Sequence, residues 1–290
     1  MREKIGINAD SFTINGDLRI LEKFLQGFVE TGFSHVEIPV HGLDCIVNGF
    51  LEHTRLAMVK SLLARLPLSY TVHSPDRLYL ADPGYPDVHA AALASTIDFA
   101  SEICAKLVVY HGSTCGACDE ETQRLGKVAM HAARRGVTVA VENIFRQHAR
   151  EVSYRIDSRN LAAQVAAVDS ASLGICFDFG HAFISAGEEG IPYMEAFKAV
   201  LPRLAHVHIH DNFGKPVAPG TKTLDALFLG LGDLHLPPGD GALPYDALFP
   251  MFSPAYKGVY MMEIQPRFAS EYSRARAWMK KMIGDKEGGA

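Results

Sequence analysis

The 290-residue chain has five cysteines, one tryptophan, no large excess of either charge sign and no apolar run of membrane-spanning length. Each shortage removes a class of function. Five cysteines scattered over this length do not form a disulfide framework. Cys115-Gly-Ala-Cys118 has redox or zinc spacing, but no second pair accompanies it, so loop lining is the expected role. A net charge of −5 and a pI of about 6.2 offer no global attraction for nucleic acid or anionic lipid. The start of the chain, Met1-Arg-Glu-Lys-Ile-Gly-Ile, carries no secretory apolar core. A bacterial-type cytoplasm and no membrane partner are therefore expected. No glycine-rich fingerprint follows the first strand-like run, which argues against an open dinucleotide-binding sheet.

What is present is an alternation. Eight short strand-like runs, at about 4–8, 35–40, 68–73, 106–111, 137–142, 173–178, 206–210 and 258–263, alternate with amphipathic helical segments. Helices are expected from Leu18, over about Leu51–Leu63, Asp87–Ile103 and Glu120–Arg135, from Asp157, after Ile191-Pro192, and from Ser270 to Met282. Eight βα units in one chain of this length predict an α/β fold, a single-domain (β/α)8 TIM barrel spanning 1–290.

The seventh run is unusual. His206, His208 and His210 alternate with Val207 and Ile209, so one strand face is all imidazole and the other all β-branched. Buried imidazoles in a row require partners. In a TIM barrel the strand C-termini converge on one mouth. His73, His111, Glu142 and Asp178 end successive runs, His181 lies just beyond the sixth, and Glu263 ends the eighth. Asp233 and His235 lie in the loop after the histidine run, before a Gly/Pro-rich turn. Imidazoles and carboxylates gathered this way are ligand chemistry for zinc, manganese, cobalt, magnesium or iron(II). His73, His111, Glu142, Asp178, His181, His208, Asp233, His235 and Glu263 are the expected metal ligands.

Several segments carry a resemblance: Val72-His-Ser, Tyr110-His-Gly-Ser, Val141-Glu-Asn, Phe177-Asp-Phe-Gly-His-Ala-Phe, His208-Ile-His-Asp-Asn, Asp233-Leu-His with its Gly-Asp-Gly, and Met262-Glu-Ile. Together they resemble the xylose isomerase-like TIM-barrel superfamily, which includes sugar isomerases and epimerases and the endonuclease IV type of abasic-site nucleases. The resemblance implies one divalent ion at Glu142, Asp178, His208 and Glu263 in the isomerase case. It implies three zinc ions in the nuclease case, with His73, His111 and a bridging Glu142 on the first, and His181, Asp233 and His235 on the third. For an isomerase it implies that Glu142 and Glu263 move a proton through an enediolate. A carboxylate shared by two dications keeps little basicity, so Glu142 cannot serve both schemes. A non-catalytic carbohydrate-binding barrel is a further alternative.

Arg146, Arg150, Arg155 and Arg159, interleaved with Phe145 and Tyr154, could grip a phosphate or carboxylate; the bland alternative is a solvated loop paired with Glu151 and Asp157. The segments 41–50 and 223–231 are apolar, which suits a lid or subunit contact, hence a possible homo-oligomer, better than a DNA clamp. A small carbohydrate substrate is expected. Glu37, Asn8, His210 and Arg146 are its expected contacts, with His210 at the rim. His206 is expected as a deeper hydrogen-bonded imidazole and Cys176 as an apolar interior residue. Trp278 is expected against the barrel wall, and His41, His53, His89, His131 and His148 at the surface.

Overall fold

A computed structural model describes residues 4–112, 118–146, 156–217 and 223–284. In chain order the strands are β1 (Ile5–Asn8), β2 (His35–Pro39), a small antiparallel hairpin of β3 (Ile46–Val47) and β4 (Phe50–Leu51), β5 (Ser69–His73), β6 (Leu107–Tyr110), β7 (Thr138–Glu142), β8 (Leu173–Asp178), β9 (Leu204–Ile209) and β10 (Tyr260–Met262). All but the hairpin form one closed parallel barrel, with β10 pairing back to β1. The eight expected runs thus become the eight barrel strands. The runs separate cleanly because the strands, covered by helices outside and packed inside, are almost continuously buried.

The helices are α1 (Ser11–Ile14), α2 (Leu18–Thr31), α3 (His53–Leu63), α4 (Pro86–Glu102), α5 (Cys118–Arg135), α6 (Ser158–Val168), α7 (Phe179–Glu189), α8 (Tyr193–Val200), α9 (Thr223–Leu229), α10 (Tyr245–Phe252) and α11 (Tyr272–Met282). Local chemistry sets their ends. Asp17 caps α2 by accepting from the Arg19 N–H at 2.9 Å, and Gly32, at φ 90°, ends it in the left-handed region. Between them Leu21, Leu25 and Phe28 turn one stripe into the core, where a Leu→Ala change would cost about 2–5 kcal/mol.

Three helical boundaries differ from the sequence reading. The helix expected from Leu51 starts at His53, because Phe50 and Leu51 pair with Val47 and Ile46. α7 follows β8 with no loop, since Asp178 ends the strand and also caps the helix, accepting from the His181 N–H at 2.6 Å. The helix after Ile191-Pro192 is therefore the second in that crossover, and α1, α7, α9 and α10 have no counterpart among the expected helices. Cys115, His148, Arg150, Tyr154 and Arg155 lie outside the described residues.

The main core lies between sheet and helices; a smaller cluster of Val109, Ala140 and Cys176 fills the barrel interior. Trp278 packs edge-on against Tyr245 and Phe249, as expected of a wall residue. No described helix is long and apolar enough to cross a membrane.

Candidate metal centre

All nine expected ligands converge at the C-terminal mouth of the barrel. His73, Glu142 and Asp178 are the last residues of β5, β7 and β8; His111 and Glu263 directly follow β6 and β10. His208 lies in β9, opposite Asp178 in the β8–β9 register. His181 sits in the first turn of α7, and Asp233 and His235 come from the loop after α9.

Glu142 is the hub. Its Oε2 faces Nε2 of His73 at 3.5 Å and of His111 at 3.2 Å. Its Oε1 faces Nδ1 of His208 at 3.0 Å and of His181 at 3.5 Å. The same His208 nitrogen lies 3.5 Å from Glu263 Oε1 and 3.8 Å from Asp178 Oδ2.

His73, His181, His208 and His235 share one design: a nitrogen tethered to a fixed acceptor, with the other aimed at a carboxylate. His73 Nδ1 donates to the Ser74 carbonyl (2.8 Å), His181 Nδ1 to that of Asn143 (3.0 Å) and His235 Nδ1 to that of Glu263 (2.9 Å). His208 Nε2 donates to Glu37 Oε1 at 2.9 Å. In the neutral ring this leaves the Nδ1 lone pair pointing at three carboxylates, an arrangement that needs either a proton or a cation between them. Glu142 Oε2 is buried without a hydrogen-bond partner, as are His210 Nδ1 and Asp233 Oδ1. Orphaned, buried, mutually facing acceptors of nitrogen and oxygen type fit a divalent ion, and the N–H tethers are the outer support such ligands need.

Electrostatics agree. Burial disfavours the charged carboxylates, yet the surrounding imidazoles hold Glu142 and Asp233 well below the usual carboxylate range. Burial likewise opposes the imidazolium of His73, but the Glu142 carboxylate beside it, 3.5 Å from its Nε2, lifts it to about 10. His235 rises to about 9 through Asp233 in the same way. Negative charge fixed in place, with protons standing where a cation would, is what a ligand set shows without its ion.

The loop carrying Asp233 and His235 is pinned to the end of β9. Asp211 and Leu236 exchange backbone bonds of 2.9 and 3.0 Å. The Asp211 carboxylate accepts from the N–H groups of Asn212 (3.0 Å), Gly239 (2.8 Å) and Leu243 (3.1 Å). A Cβ at Gly241 would stand 2.2 Å from Asp211 Oδ1, so the second glycine of Gly-Asp-Gly is there for space. His235 has φ 46°, a conformation uncommon for a side chain of its size.

The cluster floors a cavity of about 410 Å³. Glu263, His235 and Asn8 line it, and Asn8 Oδ1 is buried without a hydrogen-bond partner. Ala226, Leu227 and Leu231 form an apolar wall, so the 223–231 segment closes one side of the cavity. Four expectations need correction. His210 is fully buried instead of at the rim, donating from Nε2 to Asp178 at 3.1 Å. Glu37 borders the cavity, but its oxygens accept from His206 (3.1 Å), His208 (2.9 Å) and Thr71 (2.9 Å), which makes it an orienting group for the histidine strand. Arg146 turns away to pair with Glu189 and Glu188 of α7, and it does not line the cavity. His41 is half-buried, not a free surface residue: it lines the cavity, with both ring nitrogens buried and Nε2 3.9 Å from Asp76 Oδ1. The histidine strand itself held the signal for His210, which shares the alternation of His206 and His208.

The fold and this cluster define the class. The profile of the xylose isomerase-like TIM barrel family matches residues 26–282, and the chain belongs to that family. Among characterised proteins it is similar to inosose dehydratases of Klebsiella pneumoniae, 32% identical over 121 residues. That stretch spans 38% of this chain and 39% of the dehydratase. A D-tagatose 3-epimerase-like protein has a similar structure, with a TM-score of 0.74 at 22% identity over 98% of this chain and 99% of that one. The 3-keto-D-glucoside 4-epimerase of E. coli gives 0.67 at 17% identity, over 96% and 99%. At these identities the structural likeness establishes the shared barrel.

Proposed function

We propose that the protein is a divalent-metal-dependent isomerase or epimerase that moves a proton at the carbon beside a carbonyl of a sugar, sugar phosphate or related polyol ketone. The observation that carries this reading is the placement of two glutamates from separate strands, Glu142 and Glu263, against one nitrogen of His208, at the floor of a small-molecule-sized cavity. The names of its relatives, sugar 3- and 4-epimerases and a dehydratase of inosose, support the same substrate class.

A divalent ion held by Glu142, Asp178, His208 and Glu263 would polarise the substrate carbonyl and acidify the neighbouring C–H. The residues then divide the work. Glu263 faces the cavity and is the group that takes the proton. Glu142 lies beneath the imidazoles, fully buried, and completes the acid/base pair only where a single ion leaves it basic. Asn8 Oδ1 and His41 offer unsatisfied polar atoms to substrate hydroxyls. Glu37 keeps the Nδ1 lone pair of His208 directed at the carboxylates.

A second reading, the trinuclear phosphodiester hydrolase, is favoured by one observation: His73 and His111 flank Glu142 as a further donor group. Against it, Arg267 is the one lysine or arginine lining the cavity among the described residues, too little cationic surface to hold a duplex. The deciding experiment offers ketoses and inososes to protein loaded with manganese, cobalt, magnesium or zinc, alongside an abasic duplex. Sugar turnover without nicking is expected; nicking by a three-zinc protein that leaves every sugar untouched would refute the proposal.

A further inference from the structure

We infer that the opposite mouth of the barrel holds a second small-molecule site, for an oxyanion of the carboxylate or phosphate class, set back to back with the candidate metal centre. A cavity of about 750 Å³ opens there, at the N-terminal ends of the strands. His35, Ser69 and Thr138, the first residues of β2, β5 and β7, line it together with Ala205 near the start of β9. Bulky branched side chains usually plug the interior of such a barrel. Here short and polar ones stand at that end, and the hollow runs inward to the buried His206.

The lining selects the charge of the occupant. The hydroxyls of Ser69 and Thr138 make no hydrogen bond among the described residues. Burial and the neighbouring His206 hold the His35 imidazole down to about 4, so the ring is neutral and one of its nitrogens carries a proton to donate. Glu102, the one carboxylate among the described lining residues, is paired with Lys60 at 2.6 Å. Lys106 has no ion pair among the described residues, so one uncompensated positive charge stands beside three neutral donors. A carboxylate or phosphate satisfies that set; a cation does not. Leu63, Leu66 and Val259 add an apolar face for a short carbon skeleton.

Placement ties this site to the other. Glu37 borders the cavity of the metal centre, whereas two of its donors, Thr71 (2.9 Å) and His206 (3.1 Å), line the second cavity. Its third donor is His208. One carboxylate thus joins the two cavities, and an occupant of the second would rest against the groups that set the aim of His208.

Turnover plays no part in the test. Cys104 is exposed and lines this cavity, so it reports on occupancy. Metal-loaded protein is treated with iodoacetamide in the presence of inorganic phosphate, succinate, or potassium chloride at the same ionic strength, and alkylation of Cys104 is read by peptide mass spectrometry. Phosphate or succinate is expected to slow alkylation severalfold and saturably, the more protective of the two giving the class of anion, and chloride to leave the rate unchanged. Half-protection should need about 10–100-fold more anion in Lys106→Gln and about 3–10-fold more in Thr138→Val, the losses expected for a charged and a neutral hydrogen bond. An anion bound only to metal at the other mouth would leave Cys104 unprotected. That result overturns the inference, as does equal protection by chloride, or protection that persists unchanged in both variants.

Discussion

Strands and their ends hold one part of the candidate ligand cluster, Glu263 included, and a loop holds another. His73, Glu142, Asp178 and His208 sit on β5, β7, β8 and β9, where the barrel's hydrogen-bond ladder fixes each backbone. Asp233 and His235 hang from a loop held by the Asp211 carboxylate, by single backbone bonds such as the Asp211–Leu236 pair, and by the lack of a side chain at Gly241. The strand half is thus rigid before any ion binds, whereas the loop half depends on a few polar contacts. Chemistry needing a fixed proton donor and acceptor belongs on the first; a part that shapes the cavity wall can rest on the second.

The largest effect should come from the strand half. Glu263→Gln removes the cavity-facing base, and turnover of the substrate should fall by about 10³-fold. Because Glu263 is also one of the proposed ligands, metal content is measured beside the rate. A full metal complement with a collapsed kcat supports the base; lost metal that restores the rate when resupplied would assign Glu263 to binding alone.

Next is the loop half. Asp211→Ala strands three backbone N–H groups, and unfolding free energy should drop by roughly 2–4 kcal/mol. Protease nicking between 231 and 243 should rise well before global unfolding. Uniform loss of protection across the barrel would show that the two halves are not mechanically separate.

A smaller change tests the support behind the strand half. Glu37→Ala releases Nε2 of His208, and affinity for the ion at the Glu142–Glu263 cluster should weaken by about 10–100-fold. Glu37→Gln, which keeps an acceptor oxygen, should recover part of it. A merely packing role for Glu37 would show lower stability with unaltered metal affinity.

The smallest effect is in pH. Without metal, His73 and His235 titrate at about 10 and about 9, above the ordinary 6.5. Raised values mean that the stability they contribute is full below about pH 6.5 and disappears as pH rises through 9 to 10. Chelator-treated protein should therefore lose a few degrees of Tm across that window. Metal-loaded protein, whose ligands carry no such protons, should lose less. Parallel curves would mean that the ion does not reside on these histidines.

The same contrast explains what the sequence made legible. Strand-end residues could be read from period-two alternation and from eight repeats of one βα unit, and all nine expected ligands do converge. Glu37 reads as a substrate contact from its own strand; its bonds to His206 and His208 need β2 to face β9 across the barrel, which one strand read alone does not disclose. His210 was set at the rim although its alternation with His206 and His208 already turned it inward; Gly180, two residues after Asp178, gives it room. The cap that Asp178 places on α7 does not show in a strand-end reading, which stops at Asp178 as a ligand candidate and not as a helix start. Arg146 was misjudged because its partners, Glu188 and Glu189, are distant in sequence.

The central claim is that Glu263, beside a ligand cluster on rigid strands, abstracts a carbon-bound proton from a polyhydroxy ketone. Deuterium wash-in tests it most directly: metal-loaded protein is incubated with ketoses or inososes in D2O and the carbon-bound hydrogens are followed by NMR. The account predicts exchange at the carbon beside the carbonyl, dependent on added divalent ion and lost in Glu263→Gln. Turnover of such a substrate with no solvent deuterium in product or recovered substrate, or exchange that survives in Glu263→Gln, would contradict it.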